Sequence, residues 1–333
     1  MDPVSQAALG AAAAQLRTRK PQLFYAAIIG ALGGMAPDLD VFIRSSHDPL
    51  LALQFHRHFT HSLLMIPICG GLIGLGLFYL LGRRWQLSLS QTLLWAVLGY
   101  ATHGLLDGCT SYGTQLLWPL SSERFAWDII SVVDPLFTLP LIAAVILTLG
   151  LQSRTWLAAG IVWISLYLGF GYVQHQRAVA MGYDVAASRG HQPLRLEAKP
   201  SFGNMLVWRS MYEFDGRFYV DAVKPGFGRA VTWSGDSINK LNVAKDFPWL
   251  KQESNQWRDI QRFTAFSAGY VAVDSKDKSR IVDIRYSMLP NEINALWGIE
   301  LSVSKKPDEH VHYYSDRGDS VQALKVLWAM IIE

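Results

Sequence analysis

Five apolar runs, each free of Asp, Glu, Lys and Arg, crowd into the first 173 positions: 21–37, 62–82, 87–106, 135–151 and 155–173. A helix rises about 1.5 Å per residue, so roughly 20 such residues cross the hydrocarbon core of a bilayer. Four of the runs, 62–82, 87–106, 135–151 and 155–173, are read as full spans, 135–151 being the shortest of them at 17 residues. The run 21–37 is near the short limit of about 17 residues, and its Gly and Ala content suits close helix packing. Ahead of it, residues 3–16 start with Asp2 as a helix cap and Pro3 at the first helical position. That stretch is too short to cross alone and is expected on the membrane surface or packed against 21–37. Met1-Asp2-Pro3 lacks the positive start of a cleaved signal, and Arg17, Arg19 and Lys20 come only afterwards, so the stretch is expected to stay in the mature protein.

Only 17% of residues are charged, and they are concentrated beyond about residue 172. The chain therefore reads as two halves. The expected fold is an α-helical polytopic membrane domain over 1–175, with about five spans plus the short N-terminal helix. A linker over 176–199 and a soluble α+β domain over 200–333 follow. In that second half, 206–214 and 217–223 flank Asp215-Gly216, a hairpin signal. Residues 263–274, 279–288 and 296–304 read as further strands, and 249–262 as a helix. The net charge of +3 and the lack of a long basic run give no footprint for nucleic acid. Cys69 and Cys109 both fall in apolar surroundings as small buried residues, without the pairing of a zinc-type cysteine site.

Polar residues gather at the ends of the apolar runs. His56-Arg57-His58-Phe59-Thr60-His61-Ser62 opens the run 62–82, Asp38-Leu39-Asp40 follows 21–37, and His103 with Asp107 closes 87–106. His103 and Asp107 are four apart and share one helix face, so both can reach a common ion. Asp38 and Asp40 point the same way in an extended turn. His58 and His61 lie one turn apart if a helix begins there, and Arg57 offers a two-pronged donor for a carboxylate or phosphate. Imidazole with carboxylate suits zinc first, with manganese or iron as alternatives. The candidates outnumber the ligands of one zinc, so some support the others or two ions sit together. Asp128 and Asp134 are plausible additions. His47, His175, His191, His310 and His312 have no such company and read as surface residues.

Basic loops mark the cytoplasmic side. Threading five spans places Arg17, Arg19, Lys20, Arg83, Arg84 and Arg154 there. The acidic and histidine clusters, and everything after Gln174, then fall on the periplasmic side of an inner membrane.

The chain resembles the membrane-bound metal-dependent hydrolase family, some of whose members are described as LexA-regulated inner-membrane proteins. The family's Pro-Asp-x-Asp matches Asp38 and Asp40, and its His-Arg-Gly-x-Thr-His-Ser matches His56, Arg57, Thr60, His61 and Ser62. Its His-x-x-x-Asp matches His103 and Asp107, its helix-opening Asp-Pro matches Asp134 and Pro135, and its N-terminal Asp-Pro matches Asp2 and Pro3. In this chain Gln6 stands where the family often has histidine, and His58 where it has Gly. If Gln6 takes that place, helix 3–16 must run antiparallel to 21–37, with the turn at 17–20.

The resemblance implies an inner-membrane hydrolase that uses a metal-activated water, and a site at the lipid surface points to a membrane-borne ester, a phosphodiester or phospholipid foremost. Asp38, Asp40, His56, His61, His103 and Asp107 are the expected ligands. Asp38, Asp40, Arg57 and Thr60 are the expected catalytic groups, with Gln6, His58, Ser62, Asp128 and Asp134 in support. The bilayer and a lipid-like substrate are the expected partners. The alternative is a membrane protein without catalysis, either an ion or metal pathway or a scaffold or sensor for the C-terminal domain. Clean apolar spans beneath the clusters argue against a continuous path.

Overall fold

The computed structural model describes residues 1–226 and 229–333. Seven helices come first: α1 Pro3–Leu16, α2 Leu23–Met35, α3 Leu51–Phe55, α4 Gly71–Leu77, α5 Leu89–Gly108, α6 Pro135–Leu151 and α7 Arg154–Ser188. The strands β1 Arg195–Pro200, β2 Trp208–Phe214, β3 Arg217–Lys224, β4 Val231–Trp233 and β5 Ser237–Asn239 follow. Then come α8 Val243–Asp246, α9 Asn255–Phe266, β6 Val271–Val273, β7 Arg280–Asp283, β8 Trp297–Glu300, β9 His312–Ser315 and α10 Ser320–Ile332. The chain forms two compact units. One comprises Met1–Phe42, Phe55–Tyr172 and Phe202–Asn204; the other comprises Ile43–Gln54, Val173–Ser201 and Met205–Glu333.

In the first unit the Asp2 carboxylate caps α1, accepting from the amides of Val4 and Ser5. α1 then runs antiparallel to α2, with Gln6 beside Gly34, and Gly10 and Ala14 beside Gly30. This is the hairpin expected if Gln6 belongs to the site. It depends on small residues: a Cβ at Gly30 would strike the Gly10 carbonyl, and one at Gly99 of α5 would strike the Gly30 carbonyl. Backbones packed this closely gain dispersion energy and need no large side chains. Ala14, Ala26, Ile29, Trp95 and Ala96 fill one core; Ala8, Ala12, Phe137, Leu141 and Leu157 fill another. α5 opens with a capping box between Ser88 and Gln91.

Among the described residues, three helical stretches are long and apolar enough to cross a membrane: Lys20–Phe42, Leu63–Gly82 and Arg154–Ser188. The first joins α2 to a 3-10 turn, Ala36–Phe42. The second widens to π turns on both sides of α4. Pro135–Leu151 is apolar but shorter.

The second unit holds two antiparallel sheets, β1-β2-β3-β4 with β5 also on β3, and β6-β7-β8-β9. The β2–β3 hairpin turns at Asp215 and Gly216 with φ of 48° and 68°, the left-handed pair that a two-residue turn needs, as the sequence predicts. Met211, Phe218 and Val220 of one sheet share a core with Ala272 and Val282 of the other and with Tyr270, just ahead of β6. The remaining strands are shorter than expected. Residues 263–266 are the last turn of α9, because Ser254 caps that helix and its apolar face buries Ile260, Phe263 and Phe266. α7 continues to Ser188 and β1 starts at Arg195, so residues 176–199 are mostly regular structure. Arg209 is buried on β2 and donates to the carbonyls of Ile284, Pro290 and Glu292 at 2.7, 3.0 and 2.7 Å. Burial pulls its pKa down to about 10, which still leaves it charged at neutral pH.

Candidate metal centre

All the converging side chains belong to the first unit. Asp38 and Asp40 sit on the 3-10 turn that ends α2, and His103 and Asp107 sit on the last turns of α5. His56, Arg57, Thr60 and His61 come from the segment before the Leu63–Gly82 span. Gly104, between the two α5 residues, lets the His61 backbone approach; a Cβ there would strike the His61 carbonyl.

His61 Nε2 and His103 Nε2 face each other 2.9 Å apart. Asp38 Oδ1 lies 3.5 and 3.4 Å from these two nitrogens, and Asp107 Oδ2 lies 3.3 and 3.6 Å from them. The four ligand atoms are all within 4.8 Å of one another. The outer nitrogens are already engaged. His103 Nδ1 is 2.5 Å from the Gly34 carbonyl and acts as donor there, while His61 Nδ1 lies 3.0 Å from Thr60 Oγ1 and 3.3 Å from Asp40 Oδ2. These partners set the tautomers and turn both Nε2 atoms inward. Two inward lone pairs at this distance need a cation, either a proton or a metal ion. Burial alone would lower the His61 pKa, but the carboxylates of Asp107, Asp38 and Asp40 outweigh it and raise it to about 10. The cluster therefore draws positive charge strongly. Asp107 Oδ2 is fully buried and no aligned hydrogen bond satisfies it; it lies between Arg57 Nε and the two inward Nε2 atoms, so it faces the position an ion would take. Two imidazoles and two carboxylates fit the donor set of zinc.

Asp40 is buried and fully engaged. It receives the Arg57 amide at 2.9 Å, the Thr60 hydroxyl at 3.0 Å and His56 Nδ1 at 2.8 Å. The amide contact accompanies a left-handed Arg57 backbone, φ 59°, a conformation costly for a side-chain-bearing residue and held here by its surroundings. Asp38, Asp40 and His56 also form a second group with ligand atoms close enough to share an ion. The Arg57 guanidinium is buried. Its Nε lies 3.0 Å from Asp107 Oδ2, its Nη1 donates to Thr110 Oγ1 at 2.8 Å, and it sits over the Tyr112 ring. Gln6 Nε2 donates to Asp107 Oδ1 at 2.9 Å, so α1 reaches the cluster. The Met1 amine touches the same oxygen.

Other expected members lie elsewhere. His58 packs edge-on against Phe55 and Phe59 and at a tilt against Trp118, outside the converging groups. Ser62 accepts the Leu64 amide and donates to the Trp118 carbonyl, which shapes the entry to the span. Asp134 caps α6 and accepts from Tyr167. Asp128 is buried on a loop with left-handed backbone, outside the converging groups. Gly34, Tyr100, Thr110 and Tyr112 were not singled out from the sequence. Tyr100 donates to the Thr60 carbonyl at 2.6 Å, and its place one turn before His103 was the available clue.

His310, expected as an ordinary surface residue, is half-buried in the second unit. Its Nδ1 meets Asp259 at 2.8 Å, with Asp48 nearby. Arg262 donates to both carboxylates, so that group already holds its cation.

Comparison with curated proteins finds no match, and comparison with solved structures finds none either. A family model described as YdjM inner membrane protein matches residues 1–178, a stretch containing every residue of the candidate centre, and the chain belongs to that inner membrane protein family.

Proposed function

We propose that the chain is a metal-dependent hydrolase of the inner membrane acting on a membrane-borne ester, a phosphodiester or phospholipid foremost. The observation that carries this reading is the inward pair of Nε2 atoms between two carboxylates, each imidazole oriented by an outer partner. In this reading His61, His103, Asp107 and Asp38 hold zinc, with manganese or iron as alternatives. Bound there, such an ion would supply a water nucleophile at neutral pH. Asp38, with its side chain 23% exposed, is the carboxylate open to solvent; its Oδ1 would face the ion and its second oxygen would take the proton. Asp40, Thr60 and His56 hold the ligand loop in place. Arg57, turned inward, balances the charge of Asp107 and leaves little of its guanidinium for a substrate anion.

The five-span threading, with the centre and the C-terminal domain facing the periplasm, belongs to the same proposal. It rests on the basic loops at 17–20, 83–84 and 154. A phosphatase reporter fused after Glu333 should be active, and one at Arg84 inactive; an inactive C-terminal fusion would overturn the topology. For the activity, elemental analysis of the purified protein comes first, then hydrolysis assays on lipid and phosphoester panels with His61→Ala as control. Metal-dependent cleavage lost in the variant is expected. Bound metal with no ester cleaved would favour a non-catalytic scaffold.

A further inference from the structure

We infer that α10 is an interfacial helix, lying along the bilayer surface with Val321, Leu324, Trp328 and Ile332 turned into lipid. These residues are spaced three or four apart and form one stripe. All are exposed, Trp328 at 64% and Ile332 at 67%. The opposite face is already used, since Leu327 and Met330 are buried against Val207 and Ala222. A tryptophan and three aliphatic side chains aligned on one exposed helix face call for an apolar phase. In an inner membrane protein the phase at hand is lipid.

The depth of the helix follows from its connection to α7 within the second unit. α7 has 35 residues. It is therefore about 52 Å long, against about 30 Å of hydrocarbon, so about its last two fifths emerge from the bilayer. Its apolar run ends at Tyr172 and Val173, both exposed. In the next turn, Gln174 Nε2 donates to the Pro225 carbonyl at 3.4 Å, and Arg177 Nη2 donates to the Gly226 carbonyl. The preceding residue, Lys224, donates from Nζ to the Met330 and Ile331 carbonyls at 3.3 and 2.6 Å. Three consecutive residues thus fasten the last turn of α10 to the first polar turn of α7. Trp328 and Ile332 are held at the level where α7 leaves the apolar phase, the level at which tryptophan concentrates. With 13 residues α10 is too short to span, but the length suits a helix lying in the interface. Lys325, exposed beside the stripe, can lay its stem along lipid and keep its ammonium among the headgroups.

The test uses the full chain with Cys69→Ala and Cys109→Ala, in bilayers of phosphatidylethanolamine and phosphatidylglycerol. A nitroxide is attached at Leu324→Cys or Trp328→Cys, with Leu166→Cys on α7 as lipid reference and Asp215→Cys at the hairpin tip as water reference. Collisions with oxygen, which enters lipid, are compared with collisions with a neutral nickel chelate, which stays in water. The oxygen-to-nickel ratio at 324 and 328 should lie several-fold above that at 215 and at or below that at 166. A ratio at 328 equal to that at 215 overturns the inference. So does a label at 328 shielded from both reagents, because a protein surface, a second copy included, would then cover the stripe.

Discussion

Asp107→Asn separates a metal ligand from a structural carboxylate. The change keeps the shape of the side chain, and the amide oxygen can still accept from Gln6 Nε2, now 2.9 Å away. The amide nitrogen then faces His61 and His103, where Oδ2 lies 3.3 and 3.6 Å from the two Nε2 atoms. An anionic ligand becomes a donor that repels a cation. Changes that touch only the partners of ligands already cost about 10–100-fold in metal affinity, so losing this ligand should cost at least about 100-fold, or about 2.7 kcal/mol. The metal-free fold should also weaken. Arg57 Nε, 3.0 Å from Oδ2, loses its buried counter-ion. Breaking such a pair costs about 3 kcal/mol. Zinc affinity is measured by competition against a series of chelators, and stability by unfolding in detergent. If the variant were less stable yet bound zinc as tightly as the parent, Asp107 would be a structural partner of Arg57 and the centre would have to be reassigned.

Asp40→Asn removes the acceptor that orients His56, Thr60 and His61 without touching the inward nitrogens, and should weaken zinc binding by about 10–100-fold. Unchanged affinity in the same chelator competition would contradict that orienting role. In the metal-stripped protein the His61 pKa is raised from 6.5 to about 10. Its ion pairs therefore stabilise the fold fully below pH 6.5, and that contribution is lost as pH rises through about 10; zinc, taking the proton's place, should flatten the slope. A stripped protein whose melting temperature does not fall across that window would count against the buried ion pairs. Arg209→Met leaves the Ile284, Pro290 and Glu292 carbonyls without their donor. It should destabilise the protein by about 3 kcal/mol while zinc content stays constant, and a loss below about 1 kcal/mol would mean that solvent replaces the guanidinium readily.

The amino-acid sequence by itself determined the features that repeat locally. Apolar runs, the Asp2 and Pro3 helix start and the Asp215-Gly216 turn all follow from the chemistry of neighbouring residues. The candidate ligands were legible for the same reason, because histidine and aspartate are costly to place at the mouths of apolar helices. Only the tertiary structure decided how these residues divide their work. Asp38 and Asp40 look alike in sequence, yet one faces the inward nitrogens while the other is taken up by backbone, hydroxyl and imidazole donors. Arg57 reads as an anion clamp until Asp107 and Thr110, about fifty residues away, turn it inward. His58 belongs by spacing to the histidine cluster and by packing to Trp118. Such assignments depend on distances between segments far apart in the chain, which no local pattern encodes. The antiparallel fit of α1 on α2 lies between the two cases. Its small residues were visible in the sequence, but what they are for emerged only when Gly10, Gly30 and Gly99 met at one crossing, which brings Gln6 to Asp107.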